Sequence, residues 1–344
     1  MKVKFKLNVI KFYLNLLLKH IPLSLEKIIS PIKFHLESVN DVIKKSLSSD
    51  IPIINQISNH IISSGGKRMR PTLHILIAGM SGEINEVNHK ISAIIEFIHT
   101  ATLLHDDVVD QSEKRRNIKT ANALFGNAAS VLVGDFIYSR SFQMMVGIKN
   151  MEIMNVLSNT TNAISEGEVL QLLNSHNPDI TEEQYFKVIQ LKTAKLFEAC
   201  GSLAGISNNN RTEEIASYSS LGLHFGIIFQ LIDDILDYSG NASQIGKNIG
   251  DDLSEGKVTL PLIYAMKNSN KTQCKLIKDA IKVGDISKLP DVIEIIEKTQ
   301  SISKVQIKSE EQLSNIKLIL DKKANNEFKK ILLNLAEYCV YRKN

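Results

Sequence analysis

Leu103-Leu-His-Asp-Asp-Val-Val-Asp-Gln-Ser-Glu-Lys-Arg-Arg116 closes an apolar, helix-like run that starts at Ile91. Its three carboxylates, Asp106, Asp107 and Asp110, fall within five positions. Residues three and four apart share a helix face, so Asp110 stacks beside both Asp106 and Asp107. Like charges at that spacing weaken the helix unless something positive sits between them. A hard divalent cation is a natural counter-charge, and Mg²⁺ uses few protein carboxylates, drawing its other oxygens from water and substrate phosphates. Arg115 and Arg116 follow directly, and arginine suits bidentate phosphate recognition. The stretch reads as a metal-diphosphate site on the end of a helix. The plainer alternative is a solvated acidic helix end.

A second copy decides between them. Phe229-Gln-Leu-Ile-Asp-Asp-Ile-Leu-Asp237 repeats the Asp-Asp-x-x-Asp spacing and also ends an apolar run, Leu221 to Ile232. Gln230 lies three residues before Asp233, on the same face. Two matching clusters, each closing an apolar helix, predict two walls of one metal-filled cleft.

Working outward, Ser64-Gly-Gly-Lys-Arg-Met-Arg-Pro71 combines two glycines with three cations in four residues. It reads as a phosphate loop, although the same residues also describe an ordinary solvated turn. His99 lies seven residues before Asp106 and points along the helix toward the acidic end; a lone histidine is more often a satisfied core residue. Pro52 opens a helix to Ser63, Pro71–Gly79 and Val87–Leu104 read as buried helices, and Ala121–Met145 reads as one long helix. Asp135, Glu166 and Glu168 are left open between cleft and solvent. Lys192 and Thr193, in the otherwise apolar helix Tyr185–Leu203, suggest a cation turned inward, with snorkelling as the alternative. Gly240, Gly246, Gly250 and Gly256, interspersed with Lys247, Asp251, Asp252 and Lys257, predict a loop that closes over the cleft. Residues 268–344 are amphipathic and show no chemistry. No strand alternation appears, so the fold class is all-α.

With 344 residues, 43% hydrophobic, the chain can bury a large core. A net charge of +4 is low for a nucleic-acid binder. Cys200, Cys274 and Cys339 form no CxxC pair, which argues against a zinc or disulfide framework and fits a reducing compartment. Residues 1–30 carry lysines around the short apolar run Phe12–Leu18, too short to span a bilayer. We divide the chain into this dispensable basic extension, 1–30, and a single all-α domain, 31–344.

The two acidic clusters, Gly65-Gly66-Lys67-Arg68 and the Gly246–Lys257 loop together resemble the trans-type polyprenyl diphosphate synthases. The resemblance runs from about Ile51 to Pro261. Glu96–Asp110 and Asn127–Tyr138 look most like the bacterial octaprenyl diphosphate synthases. It implies an isoprenoid-synthase-type helical bundle around a central cleft, a homodimer, and three Mg²⁺ ions. The implied reaction is head-to-tail condensation of isopentenyl diphosphate onto an allylic diphosphate such as farnesyl diphosphate, giving an all-trans C40 chain for a quinone.

The resemblance also implies roles. Asp106, Asp107, Asp110, Asp233, Asp234 and Asp237 become metal ligands or their supports. Arg115, Lys192, Lys247 and Lys257 hold the allylic diphosphate, while Lys67, Arg70, His99 and Arg116 hold isopentenyl diphosphate. Thr193 and Gln230 lie near the reacting carbons. Ala101 and Thr102, one turn below the first cluster, let a chain pass, and Met145 is expected at the tunnel floor. Gln111 and Asn117 depart from the family pattern without touching a named role. A cytoplasmic enzyme with transient membrane contact for product release is expected. A terpene cyclase would carry a different second metal motif and lack the Lys67–Arg70 cations. A non-catalytic partner subunit would be expected to lose parts of the clusters, and the EF-hand spacing is absent.

Overall fold

A computed structural model describes residues 23–63, 66–115, 118–239 and 249–342. The expectations placed on Met1–Pro22, Gly65, Arg116, Asn117, Gly246 and Lys247 lie outside these residues.

The chain is a stack of helices. The short α1 (Leu25–Ile29) runs through a 3₁₀ turn into α2 (Lys33–Ser46), followed by α3 (Pro52–Ser63), α4 (Met69–Ser81) and α5 (Glu86–Val109). Then come α6 (Ala121–Phe125), α7 (Asn127–Ile148), α8 (Met151–Asn174), α9 (Glu182–Ile189), α10 (Lys195–Ser207) and α11 (Thr212–Ser239). After the single turn α12 (Asp251–Ser254), α13 (Leu260–Asn268), α14 (Lys271–Val283), α15 (Leu289–Lys298), α16 (Ser301–Asp321) and α17 (Glu327–Tyr341) complete the fold.

Local chemistry sets the boundaries. Asn85 and Asn88 form a reciprocal capping box at the start of α5, and Thr181 with Gln184 does the same for α9. Helix α5 stops because Gln111 takes a left-handed φ of 52°, which no further helical turn can follow. The long helix expected over Ala121–Met145 is broken at Gly126, whose φ of 84° suits a residue without Cβ; it becomes α6 and α7. The helix expected over Tyr185–Leu203 is interrupted by a π-bulge at Gln190–Ala194, where Lys195 N–H reaches back five residues to the Gln190 carbonyl. Two residues on each side, Lys114–Arg115 and Ile118–Lys119, pair antiparallel, a minimal β1–β2 ribbon the sequence pattern does not reveal.

Helices α4, α5, α10 and α11 form the centre, with α7 and α8 on one flank and α16 and α17 on the other. Their facing residues, such as Leu73, Ile94, Phe97, Leu203, Phe225 and Ile228, are fully enclosed. A second, smaller cluster around Leu262, Ile277, Val292 and Ile296 binds α13, α14 and α15. Ile28 of α1 is 3% exposed and belongs to the main core, so packing begins inside the stretch assigned to the N-terminal extension. Helix α11 is long and apolar enough to cross a membrane, yet half of its most apolar window is buried inside this fold.

Candidate active site

Helices α5 and α11 deliver their acidic ends to opposite sides of one cavity of about 590 Å³. The basic loop before α4, the polar face of α8 and the largely apolar face of α9 complete its wall, together with the π-bulge, Lys257 and the end of α17.

Within each acidic cluster the carboxylates divide. Asp106 and Asp110, four residues apart, both face the cavity. Asp107 points the other way and is fully buried, where Arg115 donates Nε and Nη2 to its Oδ1 at 3.0 and 2.7 Å. The β1–β2 ribbon folds the chain back to make this possible, and Asn122 fastens the turn by donating to the Asp107 carbonyl at 3.1 Å. In the second cluster both Asp233 and Asp234 border the cavity, but Asp233 is open to it whereas Asp234 is 1% exposed. Tyr185 donates to one Asp234 oxygen at 2.5 Å and Gln230 to the other at 2.7 Å. Thr193 in turn donates to the Gln230 side-chain Oε1 at 2.9 Å. Asp237 accepts the Asp252 N–H and its carbonyl accepts that of Gly250, fixing the start of α12 and the return of the chain toward Lys257. Asp107, Asp234 and Asp237 therefore brace the clusters, and Asp106, Asp110 and Asp233 front them.

Basic side chains meet the fronting carboxylates. Lys257 donates to Asp110 at 2.9 Å, bridging from the second wall to the first. Lys192 lies 3.6 Å from Asp106, and Arg342 lies 3.9 Å from Asp233. Burial raises the Asp106 pKa, with Asp110 adding to it and Lys192, Lys257 and Arg115 opposing it. Burial also lifts Glu168 to about 7, with Asp106 adding and Lys192 opposing. Hard oxygen donors on facing walls of one cavity suit a hard divalent cation. No three ligand-type side chains converge on one point among the described residues. That pattern matches an ion drawing several oxygens from diphosphate and water rather than one caged by protein.

The cations expected at the second subsite are also here. Lys67, Arg70 and His99 line the same cavity on the α4–α5 side. Arg70 lies over the Phe197 ring at 4.5 Å and Arg342 over the Phe229 ring at 4.6 Å, and those two rings pack at 5.4 Å. Both arginines keep a buried Nε with no hydrogen-bond partner among the described residues.

Several residues here carry no signal in the sequence. Arg342 lies in a tail expected to hold no chemistry, yet its side chain is 5% exposed and walls the cavity. Arg68, expected in the basic loop, is taken up by a pairing with Glu96 that the sequence does not announce. Glu168 and Gln171 do have a weak signal: they sit three apart, hence on one face of α8, and both bond Lys192. The chain-length residues divide too. Thr102 lines the cavity, but Ala101 and Met145 are 0% and 1% exposed and lie in packed core off its wall. An alanine or methionine inside an apolar stripe gives no clue to which side of the helix the cavity lies on.

Comparisons with known proteins fit this geometry. Residues 51–299 match the family model described as polyprenyl synthetase. An octaprenyl diphosphate synthase of Escherichia coli K12 is 45% identical over 93% of this chain and 99% of its own length. A geranyl-diphosphate-specific all-trans-nonaprenyl-diphosphate synthase of Rhodobacter capsulatus is 40% identical over 92% of this chain and 98% of its own. A crystal structure of a polyprenyl synthase from Caulobacter crescentus, complexed with calcium and isoprenyl diphosphate, superposes with a TM-score of 0.90 at 35% identity, covering 93% and 98% of the two chains. This chain belongs to the polyprenyl synthetase family.

Proposed function

We propose that the protein condenses isopentenyl diphosphate units head-to-tail onto an allylic diphosphate, farnesyl diphosphate in our reading, and yields all-trans octaprenyl (C40) diphosphate. One observation carries the reading: two acidic fronts and two sets of cations share a single cavity. Asp106, Asp110 and Asp233 would hold Mg²⁺, three ions in our reading, whose charge stabilises the diphosphate as its bond to the allylic carbon breaks. In this reading Arg115, Lys192 and Lys257, which line the cavity, hold that diphosphate, and Lys247 joins them. Lys67, Arg70 and His99, with Arg116, bind isopentenyl diphosphate on the opposite side. The braced network Thr193–Gln230–Asp234–Tyr185 keeps polar atoms fixed near the reacting carbons without a free base. The apolar walls Leu103, Val188, Ile189 and Phe229 exclude water from the allylic cation.

A cavity of this size takes the head groups and a short primer, so a chain of eight isoprene units must extend past Thr102 into the region of Ala101 and Met145. We assign product length to that path. Exposed Leu132, Val146, Val169, Leu172 and Leu173 give α7 and α8 an apolar outer face, which supports a homodimer built there. The three cysteines are free thiols, in keeping with a cytoplasmic setting. So apolar a product calls for transient membrane contact, and a ubiquinone side chain is the use we propose for it.

Product analysis tests the function. Purified protein, farnesyl diphosphate, excess labelled isopentenyl diphosphate and Mg²⁺ should give a main C40 product after dephosphorylation. Another long product would keep the reaction and discard the length assignment. No elongation by folded protein with Mg²⁺ present would overturn the reading.

A further inference from the structure

Lys192 sits in a cradle that its own helix does not provide. The π-bulge at Gln190–Ala194 turns it toward the cavity, and α8 presses against the bulge so closely that a Cβ on Gly167 would lie 2.6 Å from the Lys192 backbone nitrogen. The next residue, Glu168, accepts a hydrogen bond from Lys192 Nζ, and Gln171, one turn on, accepts another at 2.7 Å. Asp106 competes for the same ammonium from 3.6 Å. Three acceptors from two helices thus share one cation, of which only Asp106 belongs to the acidic fronts.

We propose that Glu168 and Gln171 are positioning residues: they hold Lys192 off Asp106 and aimed at the allylic diphosphate. This rests on the assignment of the Lys192 side to that substrate. Glu168 is the stronger acceptor in its ionised form, since charge-assisted bonds exceed neutral ones about twofold. With a glutamine at 168, the charge of Asp106 becomes the larger attraction. Lys192 then closes on Asp106, losing its reach to the diphosphate and blocking an oxygen meant for a cation. The isopentenyl diphosphate side, formed by Lys67, Arg70 and His99, is unaffected.

Three proteins test it: wild type, Glu168→Gln, and the exchange Glu168→Gln with Gln171→Glu, which returns a carboxylate to the cradle one turn away. Glu168→Gln keeps the side-chain shape, and melting curves confirm that each protein folds. The expected result is a KM for farnesyl diphosphate raised on the order of tenfold in Glu168→Gln, an unchanged KM for isopentenyl diphosphate, and recovery toward wild type in the exchange. Calorimetric titration with inorganic diphosphate and Mg²⁺ gives a readout independent of turnover. Weaker binding in Glu168→Gln, regained in the exchange, supports the cradle even where no chain is elongated, and that pattern separates a failed function assignment from a failed cradle. Equal diphosphate affinity in all three proteins overturns it. So do equal shifts in both KM values, or an exchange variant no better than Glu168→Gln.

Discussion

Replacing the two adjacent aspartates of the second cluster one at a time separates carboxylates that face a cation from those that brace the wall. Asp234 is 1% exposed and accepts from Tyr185 and Gln230. Asp234→Ala strands both donors; each buried unpaired donor costs roughly 1–3 kcal/mol, so the loss is on the order of 2–6 kcal/mol. At roughly 2 °C per kcal/mol for a chain of this size, Tm should fall by roughly 4–12 °C. Asp234→Asn is milder. Gln230 still donates to the amide oxygen, and the Tyr185 hydroxyl turns to accept from the new NH₂, so the cost is roughly 1 kcal/mol. Asp233, with its side chain 47% exposed and paired with Arg342 at 3.9 Å, should behave in the opposite way. Asp233→Asn leaves Tm almost unchanged, but it removes a charged oxygen from the metal side. The Mg²⁺ concentration for half-maximal rate should then rise roughly tenfold or more. Melting in EDTA and rate against Mg²⁺ at saturating substrates read the two effects separately. If Asp234→Asn raises the Mg²⁺ requirement as far as Asp233→Asn while Tm holds, the division into fronting and bracing carboxylates is wrong.

Three further expectations follow from the packing. A Cβ at residue 222 would lie 2.1 Å from the Phe197 carbonyl oxygen, which cannot swing aside, so Gly222→Ala must part α10 and α11. Overpacking of this kind costs roughly 1–3 kcal/mol, a Tm loss of roughly 2–6 °C by calorimetry; an unaltered melting curve would count against the contact. His74 is fully buried, donating from Nδ1 to the Cys200 carbonyl, and burial lowers its pKa from 6.5 to about 4. The unfolded chain therefore binds the extra proton first. This contribution is complete above pH 6.5, is lost as pH falls toward 4, and amounts to about 3 kcal/mol. His74→Gln should flatten the pH dependence of urea unfolding across that window, and an identical slope would refute the assignment. Ala101→Tyr and Thr102→Tyr should each shorten the product, as sized by chromatography; unchanged lengths in both would remove the proposed path.

The parts legible in the sequence are those written as local repeats. Asp-Asp-x-x-Asp at the ends of two apolar runs announced two walls, and helical spacing correctly put Asp106 and Asp110 on one face. The same spacing could not separate Asp107 from Asp106, because both lie near Asp110. What turned Asp107 inward is Arg115, brought back by a ribbon of two residues per strand, too short to leave a pattern. Gly126 looked like one more small residue in an apolar stretch, and only its positive φ reveals the helix break. Arg342 is far from every other site residue in the chain, and it reaches the cavity solely through the docking of α17 on α4 and α11.

The π-bulge at Gln190–Ala194 has a consequence for anyone reshaping this protein. A π-bulge amounts to one surplus residue in an α-helix. Deleting one residue there would restore regular hydrogen bonding, and a redesign scored on helix regularity would favour it. It would also rotate one side of the helix against the other by about 100°. Lys192 and Thr193 cannot then both meet α8 and α11 as Gly167 and Gly226 now let them. The irregular turn is thus a register marker for both halves of the helix, because Phe197, Cys200 and Leu203, all fully buried, would leave the core face together with Lys192. Idealising it should cost the protein its packing and its cavity at once.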